Sequence, residues 1–144
     1  MHEIRTDIEI AAAPERVWEI FTDVESYPRW NPFIRRITGS PDAGSQLTVH
    51  IEPPGGTGMT FRPTVSIAER PRELRWVGRL MVRGIFDGEH RFVIEPLSDG
   101  RVRFHHSETF SGILIVLLRR RLDRSTRQGF LEMNAALKSL AEET

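Results

Sequence analysis

From residue 34 to residue 110 the pattern is that of strands, with apolar side chains at alternate positions within successive runs. After Ser111-Gly112 they recur at helical spacing, and they do so to the end of the chain. The first pattern belongs to strands with one buried face, the second to an amphipathic helix. That helix covers about 30 residues, or ~45 Å at 1.5 Å per residue, which is long for a chain of 144 residues. Its inward stripe reads Leu114, Leu118, Leu122, Ser125, Gly129, Met133, Ala136 and Leu140. No other element is large enough to cover a sheet, so an antiparallel sheet curved around the terminal helix is expected. Ser125 and Gly129 interrupt the stripe with small residues. They serve either close packing against the sheet or room for a ligand.

The strands are bounded by turn chemistry. SQLTVHIEP (45–53) places Leu47, Val49 and Ile51 on one face, and FRPTVSIAERP (61–71) does the same with Phe61, Val65 and Ile67. ELRWVGRL (73–80), HRFVIEP (90–96) and RVRFHHSETF (101–110) follow, separated by ERPRE, GIFDG and LSDG. Upstream, His2–Ala11 alternates with Ile4, Thr6, Ile8 and Ile10 on one side. Pro14 suits a first helical turn, so 14–22 is a short amphipathic helix. SYPRWNPF (26–33) is an irregular or one-turn helical segment packed by its rings. About seven strands, two short helices after the first strand and one long final helix make an α+β chain.

Lys+Arg and Asp+Glu are 20 each, without the basic excess of a dedicated nucleic-acid binder. Cysteine is absent, which removes disulfides, thiolate nucleophiles and Cys-based metal sites. The longest apolar run, GILIVLL (112–118), falls far short of the ~20 residues that span a membrane. No secretory pattern opens the sequence, so a cytoplasmic location is expected. RRRLDR (119–124) is read as a solvated helix face; the alternative is contact with an anionic membrane or partner.

The chemistry concentrates in FHHSETF (104–110). Strand parity puts His106 and Glu108 on the face of Val102, Phe104 and Phe110, and sends His105 and Ser107 to the other. If LSDG closes a three-residue hairpin loop, Leu97 faces Arg101 and paired positions sum to 198. Ile94 then meets Phe104, Phe92 meets His106, and His90 meets Glu108. Cross-strand partners have Cβ atoms about 4.5–5.5 Å apart. A histidine partner lowers the cost of burying a carboxylate and tunes both groups. Three readings stay open: a structural His–Glu pair, a polar anchor for the head group of an apolar ligand, and acid/base catalysis by His90, His106 and Glu108. The same trio has the composition of a two-His-one-carboxylate metal set, but no tight ligand spacing accompanies it, and no metal or other cofactor is expected.

Three segments, IAAAPERVWEIFTDVESYPRWNPFIRRITG (10–39), GIFDGEHRFVIEP (84–96) and HSETFSGIL (106–114), resemble the START/SRPBCC superfamily, as does the terminal GFLEMNAALKSLAE (129–142). The closest likeness is to its polyketide cyclase/dehydratase and lipid-transport-like bacterial proteins. The resemblance covers essentially the whole chain and implies a single helix-grip domain over 1–144: a seven-stranded antiparallel sheet gripping the last helix around a hydrophobic cavity. Superfamily oxygenases carry Rieske ligands in a Cys-containing domain, which this cysteine-free chain lacks.

Candidate ligand-binding residues on that wall are Trp30, Phe33, Val49, Phe61, Val65, Trp76, Phe86, Phe92, Phe104, Phe110, Ser125, Gly129 and Met133. PPGGTGM (53–59) and MVRGIF (81–86) flank the entrance or are simple turns. The expected function is binding of a small apolar or amphipathic ligand, such as a lipid, polyketide-like aromatic or isoprenoid. The alternatives are a cyclase/dehydratase using the His/Glu residues and a co-chaperone-like protein-interaction module. Oligomeric state is not legible.

Overall fold

The structure is a computed structural model. It describes residues 2–56, 58–79, 87–112 and 115–143, with the backbone alone for 115–123. The chain runs β1 (His2–Ile10), α1 (Pro14–Thr22), a 3₁₀ turn (Val24–Ser26), α2 (Tyr27–Trp30), β2 (Ile34–Thr38), β3 (Thr48–Ile51), β4 (Met59–Phe61), β5 (Thr64–Glu69), β6 (Glu73–Arg79), β7 (Asp87–Pro96), β8 (Val102–Ser111) and α3 (Ile115–Ala141). This is the expected α+β helix-grip arrangement, with eight strands rather than about seven.

The extra strand has a simple cause. FRPTVSIAERP was expected as one strand, but Pro63 has no N–H for the ladder. Only Phe61 of the run joins β4, whose first residue, Met59, lies in the segment read as a turn, and β5 begins at Thr64. The strands form two antiparallel ladders, β1-β8-β7-β6-β5 and β2-β3-β4. Residues 44–47 stitch these together: Gly44 N–H donates to the carbonyl of Val65, Val65 N–H to Ser45, and Leu47 N–H to Pro63.

The β7–β8 hairpin follows the expected register. Leu97 N–H bonds the carbonyl of Arg101, Gly100 takes φ +84° in the turn, and His90 lies opposite Glu108. Pro14 opens α1 at its first turn, and Val17, Trp18 and Phe21 are its buried side. α3 packs on β1 and β8 and, near its end, on α1. There Arg16 donates to the carbonyls of Leu140, Ala141 and Glu143, groups that have no partner within the helix.

The inward stripe of α3 is a correction. Among its described side chains, Thr126, Gly129, Phe130, Met133, Asn134, Leu137 and Ala141 are buried, while Ser125, Ala136 and Leu140 are half-buried. Hydrophobicity alone misplaced the stripe because two inward positions, Thr126 and Asn134, are polar. The expected readings of Leu114, MVRGIF and most of RRRLDR lie outside the described residues or side chains.

Candidate functional site

Three adjacent strands and the terminal helix bring together a buried polar row. β8 contributes His106 and Glu108, β7 His90, β1 Thr6, and α3 Asn134. His90 and His106 are 5% and 0% exposed, so neither ring titrates in contact with bulk water. Their positions are diagonal on the ladder, since His90 pairs with Glu108 and Phe92 with His106. The ring nitrogens meet on that diagonal, His90 Nε2 to His106 Nε2, at 2.7 Å.

The row continues in both directions. His106 Nδ1 lies 2.9 Å from Asn134 Oδ1. Asn134 Nδ2 donates to Thr6 Oγ1 at 2.9 Å, and the Thr6 hydroxyl donates to the His106 carbonyl at 2.8 Å. At the other end, His90 Nδ1 stands 3.5 Å from Glu108 Oε1. The Glu108 side chain keeps 19% of its surface exposed, which makes it the outer end of the row. It fits there because residue 88 is glycine: a Cβ on Gly88 would come within 2.6 Å of Glu108 Oε2.

The surroundings are aromatic. His106 stacks on Phe130 with centroids 3.9 Å apart, and His90 stacks on Phe92 at 4.6 Å. Trp76 leans on His90 at 5.2 Å. Burial among rings disfavours charge on every member of the row. It holds His106 down to about 3, against the opposing hydrogen bond that its Nδ1–H gives to Asn134 Oδ1. His90 is held well below the ordinary 6.5, by burial and then by the neighbouring His106. The same burial pushes Glu108 up to about 8. Burial thus favours the uncharged form of each titratable member of the row.

His105 points the other way and pairs with Glu95 at 2.9 Å on the opposite face. Among the described residues no group of three His, Asp or Glu side chains is placed to hold a metal ion.

The expected wall residues divide by place. Trp76, Phe92, Phe104 and Phe110 are buried around the histidines, with Val65, Val49 and Met133 also in the core. Phe33 is buried against Phe130, and its ring fills the space beside Gly129. Ser125 is half-buried and donates to the carbonyl of Pro54 at 3.0 Å, tying the β3–β4 hairpin to α3. Phe61 is half-buried on β4. Trp30 lines a separate cleft of about 330 Å³ between α1, α2 and the end of α3, with Arg16, Ile20, Asp23 and Leu140 among its neighbours. Phe86 lies outside the described residues.

Thr6 and Asn134 escaped the sequence reading as functional candidates. Thr6 stood in the inward set of β1 as its one polar member, and that was the available signal. Asn134, next to Met133 on α3, gave a weaker one, because the helical phase was misjudged.

Fold and site together define a START-type helix-grip protein. A family model described as "Polyketide cyclase / dehydrase and lipid transport" matches residues 1–143, and the chain belongs to that family. Solved structures with the same fold include a START superfamily protein from Mycobacterium smegmatis, 23% identical with TM-score 0.76, covering 99% of this chain and 98% of that one. The Zhui aromatase/cyclase from Streptomyces sp. R1128 is 16% identical with TM-score 0.78, covering 98% and 93%. A hypothetical protein from Helicobacter pylori is 14% identical with TM-score 0.80, covering 98% and 88%. At these identities the likeness is one of fold. No curated protein matches the sequence, and no described helix is long and apolar enough to cross a membrane.

Proposed function

We propose that this chain binds an apolar or amphipathic small molecule on the sheet face that α3 covers, with the polar end of the ligand against Glu108. The observation that carries the reading is the polar row itself. It is buried in an aromatic wall at one end and partly exposed at Glu108. Pockets for such ligands are mostly apolar, with a few polar groups that fix orientation. Family membership supports the same reading. Affinity would come chiefly from apolar burial, on the order of 25 cal/mol per Å² before ordering costs.

A second reading is a cyclase- or dehydratase-type reaction. One observation favours it: Glu108, raised to about 8, titrates near neutrality, where an acid catalyst works best. Native mass spectrometry of protein purified from its own host tests the binding reading. A co-purifying apolar compound at one per chain is the expected result. A ligand-free chain that also takes up no naphthalene-sized apolar alcohol would overturn it.

A further inference from the structure

The row of hydrogen bonds has a direction, and the direction bears on the ligand that the preceding reading assigns to this face. The Thr6 hydroxyl has one proton and gives it to the His106 carbonyl. Its oxygen therefore accepts, and the group that donates to it is the Asn134 amide nitrogen. This turns Asn134 Oδ1 toward His106, so His106 Nδ1 carries a hydrogen. A neutral imidazole with hydrogen on Nδ1 has a lone pair on Nε2. His90 Nε2, 2.7 Å away, must then be the donor. His90 is left with a lone pair on Nδ1, facing Glu108 Oε1. A carboxylate oxygen against that lone pair is repulsive, whereas a carboxylic acid O–H is attracted to it.

We propose that this one-way chain holds Glu108 as a neutral acid, so that the ligand group it selects is an uncharged hydroxyl, which donates to the free carboxyl oxygen, rather than an ammonium or a carboxylate. With its one O–H given to His90 Nδ1, the protonated carboxyl has an acceptor oxygen to offer a ligand, and no charge with which to pair a cation. Among the described side chains, the elements packed around it bring no compensating charge. On either side in the sheet, β1 presents Ile4 and Thr6, and β7 presents Gly88 and His90. β6 presents Trp76 opposite His90, and α3 brings Phe130 and Asn134 to His106. His2, opposite Phe110 on β1, is the further titratable group of this face among the described residues. The raised Glu108 and the lowered histidines agree with this placement of the proton.

The inference rests on the ligand-binding reading, and calorimetry can separate the two. The probes are 2-naphthalenemethanol, 2-naphthylmethylammonium and 2-naphthoate, measured against the wild-type chain, Glu108→Gln and Glu108→Ala. At about pH 6 the alcohol should bind roughly tenfold more tightly than either ion, the worth of one hydrogen bond. Glu108→Gln, which copies a neutral acid, should keep the alcohol within about threefold, while Glu108→Ala loses about tenfold. Between about pH 6 and pH 8.5 the ammonium probe should gain on the alcohol with the wild type as Glu108 ionises, and with Glu108→Gln it should not. Tighter binding of the ammonium than of the alcohol at about pH 6, loss of the alcohol in Glu108→Gln, or an alcohol affinity in Glu108→Ala equal to that of the wild type would overturn the inference. If no probe binds the wild type, the ligand-binding reading and the head-group assignment both fail. The neutral acid is then judged alone by carboxyl ¹³C NMR, where a Glu108 midpoint near 8 supports it and one near 4.5 refutes it.

Discussion

His90 and His106 share one hydrogen between their Nε2 atoms, 2.7 Å apart on a diagonal of the β7–β8 ladder. That contact needs one donor and one acceptor, so two imidazolium rings are incompatible with it. Each ring also stacks on a phenylalanine, His106 on Phe130 and His90 on Phe92. The pair is a neutral link, and the proton in play lies one step further out, at Glu108.

Stability should depend on pH with a maximum near 6.5. Below that value the unfolded chain protonates two histidines that the folded chain keeps neutral, so their contribution is lost as pH falls. Glu108 works in the opposite sense. Its folded value, near 8, exceeds the ordinary 4.5, so between those values the folded chain holds a proton that the unfolded chain has released, and stability falls as pH rises. From 4.5 to 6.5 two histidine protons oppose one glutamate proton, and from 6.5 to 8 the glutamate acts alone. The expected slopes are about +1.4 and then about −1.4 kcal/mol per pH unit. Urea titrations of wild type and Glu108→Gln check this, because surface groups common to both cancel. The variant should lose the descending limb between pH 6.5 and 8.

Asn134→Leu should do more than destabilise. The unpaired His106 Nδ1–H costs about 1–3 kcal/mol. His106 is then free to place its hydrogen on Nε2 and donate to His90, which reverses the chain and points His90 Nδ1–H at Glu108. The Glu108 midpoint should fall from about 8 toward the ordinary carboxyl range. A purely structural role for Asn134 would leave that midpoint in place. Carboxyl ¹³C titration reads the difference.

Gly129→Ala should destabilise the chain, although alanine is better by about 1 kcal/mol at an exposed helix position. Its Cβ would lie 2.3 Å from Phe33 Cδ1, and Phe33 is locked against Phe130. Overpacking of this kind costs about 1–3 kcal/mol. A lower denaturation midpoint with an unchanged m-value is the expected outcome.

Gly88→Ala tests the seat of Glu108 in the same way. The new Cβ would meet Glu108 Oε2 at 2.6 Å and displace the carboxyl from His90 Nδ1. The variant should fold and should lose the pH dependence that Glu108 gives the wild type, as Glu108→Gln does.

Much of the hairpin at this site was legible in the sequence. Alternation and the LSDG loop placed His90 opposite Glu108, His106 on the buried face and His105 on the other, as the structure has them. The His90–His106 contact was not legible. Register states which residues are opposite, while a diagonal contact depends on side-chain rotamers. Asn134 was hidden because its partner Thr6 is 128 positions away and its own place on α3 breaks the apolar stripe. The break between Phe61 and Thr64 could be read from Pro63 alone. The role of Gly129 could not, since it depends on a ring arriving from the chain segment before β2.

The most direct test is ¹⁵N NMR of the two buried imidazoles between about pH 5 and pH 8. The one-way chain predicts both rings neutral throughout, His106 with its hydrogen on Nδ1 and His90 with its hydrogen on Nε2. A His90 imidazolium at neutral pH, or hydrogens on the opposite nitrogens, would mean that Glu108 is an ionised carboxylate and would contradict the account.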